Sequence, residues 1–121
     1  MAAGEFALAR DHLEAGLKQR SEWVGEHDLY AMLADAAVQQ RDQVALQQYA
    51  PLAEETAARY EHALYQAIAH RAWGVAHRLG GQYGEAEARL KQALEMFQIL
   101  ETSWQAGRTR FELAKLALAR S

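Results

Sequence analysis

Apolar residues recur along this chain at steps of three and four, the spacing of one face of a helix. The densest stretch runs from Arg71 to Gln98, RAWGVAHRLGGQYGEAEARLKQALEMFQ, and predicts a helix, a turn and a second helix. Trp73, Gly74, His77 and Gly81 lie on the first helix and its end. Tyr83, Ala86, Leu90, Ala93 and Leu94 lie on one side of the second. One such pair cannot bury its apolar face alone, so the rest of the chain is expected to supply neighbours.

Taken in order, the pattern predicts about six helices. The first carries Phe6, Ala9, Leu13 and Leu17 on one face. Its Gly4-x-Phe6-x-x-Ala9 matches Gly81-x-Tyr83-x-x-Ala86, and Leu13 and Leu17 match Leu90 and Leu94, which is an internal repeat signal. Ser21 is a candidate cap for the second helix, whose Trp23, Leu29, Met32, Leu33 and Ala36 place its firm start near Glu26. Asp42 can cap the third, which sets Ala45, Tyr49, Leu52 and Ala53 along one face. Pro51 lies inside it and predicts a kink or break. The alanines at 9, 45 and 86 are 36 and 41 residues apart, as in helix-pair repeats. The phase changes near Arg59–His62; a fourth helix runs to about Leu79, where Gly80-Gly81 ends it. The fifth spans about Tyr83 to Gln98, and a sixth carries Trp104, Phe111, Ala114 and Leu118. The chain therefore opens on what reads as the second helix of a pair and closes on the first of another. That order fits a segment of a longer solenoid, or a domain with specially capped ends.

Composition supports an all-α fold. Half of the 121 residues are hydrophobic, proline occurs once, and Ala, Leu, Glu, Gln and Arg dominate over β-branched residues. The length fits one domain spanning residues 1–121. No cysteine is present, so disulfides and thiolate metal sites are excluded. A net charge of -3 argues against nucleic-acid or anionic-membrane binding. No apolar run approaches the roughly 20 residues needed to span a bilayer. A cytoplasmic location is the expectation.

With these residues in place, the chain resembles the tetratricopeptide repeat family. The clearest copy runs from Ala67 to Gln98, with His70, Trp73, Gly74 and His77 on its first helix and Tyr83, Ala86, Leu90 and Ala93 on its second. Histidines stand at two usually large apolar positions, Gln98 replaces the closing proline, and Gly107-Arg108 replaces a bulky-small pair. The Arg-rich style is similar to repeats in large bacterial signalling ATPases and transcriptional activators. The resemblance implies antiparallel helix pairs in a right-handed α-solenoid, and a non-catalytic interaction scaffold whose first helices line a concave groove.

The chemistry-bearing residues add little to that. Gly80-Gly-Gln-Tyr-Gly84 could form a phosphate nest, but no Lys-Ser/Thr pair follows, and a tight turn is the simpler reading. His70 and His77 stand two helical turns apart, too far to share one ion unaided, so no metal or cofactor is expected. The serines Ser21, Ser103 and Ser121 offer no nucleophilic constellation. The informative pair is Arg71 and Arg78, with Val75 between them on one face. In the repeat register they point toward the groove, with His27, Tyr30, Gln105 and Glu112 as their equivalents. Recognition of an acidic or C-terminal peptide is one reading. A merely solvated arginine pair is the competing one, and the residues alone favour it. Self-association through the terminal helices is the alternative function from another class.

Overall fold

The computed structural model of the chain describes residues 25–121. Among these it is all-helical, with α1 at Glu26–Gln40, α2 at Gln43–Arg59, α3 at Ala63–Leu79, α4 at Tyr83–Ile99 and α5 at Ser103–Arg120. These correspond to the second to sixth expected helices. The first one, with Phe6, Ala9, Leu13 and Leu17, lies outside the described residues, as do Ser21 and Trp23.

A 20-residue rhythm organises the turns. Arg41, Glu61, Gly81 and Glu101 adopt positive φ between 52° and 78°. The residue after each closes the preceding helix by donating its N–H five residues back. Asp42 bonds Ala37, His62 bonds Ala57, Gln82 bonds His77 and Thr102 bonds Phe97, at 2.8–3.1 Å. Such left-handed ends satisfy carbonyls that the helix leaves free. Those same four residues then start the next helix. Asp42 Oδ1 accepts from the Ala45 N–H at 3.1 Å, and His62 Nδ1 from the Tyr65 N–H at 3.3 Å. Short turns of this kind make consecutive helices antiparallel.

Each helix packs on its neighbours in sequence, while α1 and α5 also both pack on α3. One layer thus holds α1, α3 and α5, and the other α2 and α4. Leu33, Leu46, Tyr49 and Val75 fill the core between α1, α2 and α3. Ile68, Ala93, Phe97 and Ala106 continue it between α3, α4 and α5, and Ala86, Leu90 and Leu116 close it between α4 and α5. Leu90 is fully buried as expected, whereas Trp73 is only half-buried. Its indole N–H donates to Glu54 at 3.2 Å, so its polar edge stays near the surface.

Of the kink or break expected at Pro51, the break does not occur, since α2 runs unbroken through it. Proline removes the bond that its position would donate to the Gln47 carbonyl. Pro51 and Gln47 both lie on the exposed face of α2, where that carbonyl is open to solvent rather than stranded in the core.

Gly74 marks a close approach of α3 and α4. A Cβ there would stand 2.5 Å from Leu90 Cγ and 3.3 Å from the Ala86 carbonyl oxygen, whereas at Gly107 it would meet nothing within 4 Å. Gly74→Ala should therefore destabilise by about 1–3 kcal/mol through overpacking. Gly107→Ala, in the open face of α5, should stabilise by up to about 1 kcal/mol from helix propensity. Chemical denaturation of both variants checks the contrast; equal effects would contradict the close approach.

Candidate functional site

The face shared by α1, α3 and α5 carries two linked charge clusters. In the first, Arg71 of α3 is wholly buried. Its Nη2 donates to Asp35 Oδ1 of α1 at 3.0 Å. Its Nη1 reaches Thr109 Oγ1 and the Gln105 carbonyl of α5, both at 3.4 Å. The guanidinium also lies over the Phe97 ring, 5.0 Å from the centroid. Arg108 of α5 grips the same carboxylate with two bonds of 3.1 and 2.9 Å. Burial pushes the Arg71 pKa down to about 10, against the pull of Asp35 and with help from Arg108. Arg71 thus stays charged near neutrality.

The second cluster lies two turns along α3. Arg78 donates to Glu112 at 2.7 Å, and both side chains are buried. Lys115 approaches the same carboxylate at 3.7 Å. Burial lowers the Lys115 pKa; Glu112 opposes this, while Arg41 and Arg78 add to it. Beside these clusters a shallow cavity of about 270 Å³ opens between the end of α1 and α5. Val38, Arg41, Trp104, Arg108, Phe111 and Lys115 line it.

This geometry corrects the sequence reading of Arg71, Val75 and Arg78. The three do face the α1–α3–α5 side, but they are buried there. Neither a free guanidinium fork nor a solvated pair is present. Reversing both charges would set one carboxylate against Asp35 and another against Glu112, so unfolding is the expected result rather than a folded, non-binding chain. The expected equivalents on α5 are indeed brought together with them, Gln105 with Arg71 and Glu112 with Arg78, but as internal partners. His27 and Tyr30 stand apart. His27 stacks on Tyr60 at 4.3 Å near the start of α1, and Tyr30 packs against the α1–α2–α3 core. Sequence reasoning missed Asp35 and Arg108. Their signal is spacing: Asp35, Arg71 and Arg108 occur once per alternate helix, 36 and 37 residues apart.

On the opposite side, Glu54 of α2 accepts from Trp73 of α3 and from Arg89 of α4. Arg89 also reaches His70 Nδ1 at 2.9 Å. His77 takes a separate partner, Gln82, at 2.8 Å. No cluster of three or more candidate metal ligands occurs among the described residues.

Comparisons with family models, curated proteins and solved structures find no match for this chain.

The His70 contact generates a pH dependence. A guanidinium N–H facing Nδ1 requires the neutral imidazole, and the His70 pKa is lowered from 6.5, by burial first and then by Arg89, with Glu54 opposing. The unfolded chain then binds the proton more readily than the folded one, so stability falls as pH drops below about 6.5. His70→Gln, which keeps an acceptor but cannot titrate, should flatten that fall. Denaturation midpoints between pH 5 and 8 measure it; an unchanged slope would contradict the assignment.

Proposed function

We propose that this chain is a non-catalytic scaffold that binds an acidic peptide or protein segment in the groove over α3 between α1 and α5. The helix pairs repeat every 40 residues, as the turns at 41, 61, 81 and 101 mark out. Repetition of this kind favours a tetratricopeptide-like solenoid, although 40 exceeds that family's usual 34 residues. Solenoids present one layer of helices as an extended binding surface.

The observation that carries the reading is a charge imbalance. Two carboxylates, Asp35 and Glu112, are shared among Arg71, Arg108, Arg78 and Lys115. Arg41 adds a cation at the rim with no ion pair among the described residues. The groove is therefore basic on a chain whose net charge is -3. A partner carboxylate beside Arg41 and Lys115 would relieve their mutual repulsion, and Val38 offers an apolar wall next to it. Arg41, Arg108 and Lys115 replace the buried Arg71 and Arg78 as the groups offered to the partner. The binding segment needs no nucleic acid, cofactor or membrane. Among the described residues no helix is long and apolar enough to cross a bilayer.

Selection from a random peptide library tests this. Peptides retained by the wild-type chain should be enriched in Asp and Glu, and their binding should weaken with salt. The double variant Arg41→Glu, Lys115→Gln, which sets no new carboxylate against Glu112, should lose them by more than about tenfold, with unchanged circular dichroism. Equal recovery of basic and acidic peptides would sink the proposal.

A further inference from the structure

Helix α5 is apolar on two opposite faces. Ala106, Thr109 and Leu116 bury one. The other is a continuous stripe of Trp104, Gly107, Phe111, Ala114 and Leu118, at alternating steps of three and four. All five are exposed, Trp104 by 75%, Phe111 by 62% and Leu118 by 76%. A helix on the surface ordinarily turns polar residues outward. A stripe of this length marks an interaction surface.

The 40-residue period identifies what such a stripe receives. Counting from the left-handed residues Glu61 and Glu101, the stripe is equivalent to Leu64, Ala67, Arg71, Gly74 and Arg78 of α3. On α3 that face is occupied. Helix α4 covers its small residues, with Leu90 and the Ala86 carbonyl against Gly74 and with Ala93 and Phe97 clustered with Ala67, while Arg78 at its end pairs with Glu112 of α5. Small residues stand at the same two places on α5, Gly107 for Ala67 and Ala114 for Gly74. The stripe is thus shaped for a helix of the α4 kind. The chain contains a second sequence of that kind at residues 4–17, outside the described residues. It repeats the glycine, aromatic, alanine and leucine spacing of Gly81 to Leu94, and its Gly16 falls where α4 has the small Ala93. Charge agrees as well. Segment 4–17 has three acids, Glu5, Asp11 and Glu14, against one base, Arg10. Helix α5 has Arg108, Arg110, Lys115 and Arg120 against Glu112 alone. The same basic flanks disfavour pairing of α5 with another α5.

We propose that the α5 stripe is a docking surface for residues 4–17 of a second copy of this chain, joining copies head to tail. The two surfaces differ, so the contact is heterologous and propagates into a ring or filament rather than stopping at a dimer. The stripe borders the acidic-peptide groove, whose cavity Trp104 and Phe111 also line, but its occupant is argued from the repeat and not from that reading.

Sedimentation of the full chain across concentrations tests it, with Phe111→Glu disabling the stripe and Leu13→Glu disabling the segment. Phe111 is exposed, so its variant should keep the wild-type circular dichroism. The wild type should grow beyond dimer mass with concentration, and each variant alone should stay monomeric. Mixing the two variants should give a 1:1 heterodimer and nothing larger, because each retains one intact surface. Arg41→Glu, which leaves α5 untouched, should still assemble. A wild type that stays monomeric overturns the proposal. So does a Leu13→Glu chain that assembles like the wild type, which would mean that α5 pairs with itself.

Discussion

One buried guanidinium holds the inner layer in register. Arg71 leaves water completely, and a desolvated cation is tolerated only with a close counter-charge and hydrogen bonds to its guanidinium, here through both Nη atoms. Asp35 comes from α1, the Thr109 hydroxyl and Gln105 carbonyl from α5. Three helices far apart in sequence must therefore reach one side chain at once. Such clusters add little net stability compared with an apolar core of equal volume. Their effect is that sliding any of the three helices strands a charge.

The consequences extend outward from that point. Asp35 is fixed by Arg71, so it positions Arg108, and Glu112 holds Arg78 and Lys115 in the same way. Two carboxylates among four cations leave the groove short of negative charge, which is a chemical demand that a partner can meet. The outer face of α5 has a different character. It is mostly apolar with basic flanks, and so it suits an amphipathic helix rather than an extended acidic segment.

Much of the fold was legible because it is local. The turn at Gly80-Gly81, the Asp42 cap and the start near Glu26 follow from residue types within a few positions of each other. The close approach at Gly74 was also readable, since a glycine on an apolar helix face implies a near neighbour. Whether Pro51 breaks its helix depends on whether the orphaned carbonyl faces water, which is a tertiary fact. The arginines failed for a related reason. Periodicity placed Arg71, Arg78, Gln105 and Glu112 on one shared side, but a guanidinium on a groove-facing helix reads as exposed unless its counter-charge is known. Asp35 lies 36 residues away, and only the packing of α1 on α3 brings it near.

A double-mutant cycle on Asp35 and Arg71, followed by denaturant unfolding, tests the role of the buried guanidinium most directly. Asp35→Ala alone should cost on the order of 3 kcal/mol, because it leaves Arg71 buried without its carboxylate. Arg71→Met should cost much less, and adding it to Asp35→Ala should recover most of the loss, giving a strongly non-additive cycle. Additive losses would contradict the account, since they would mean that the α1–α3 contact does not depend on this pair.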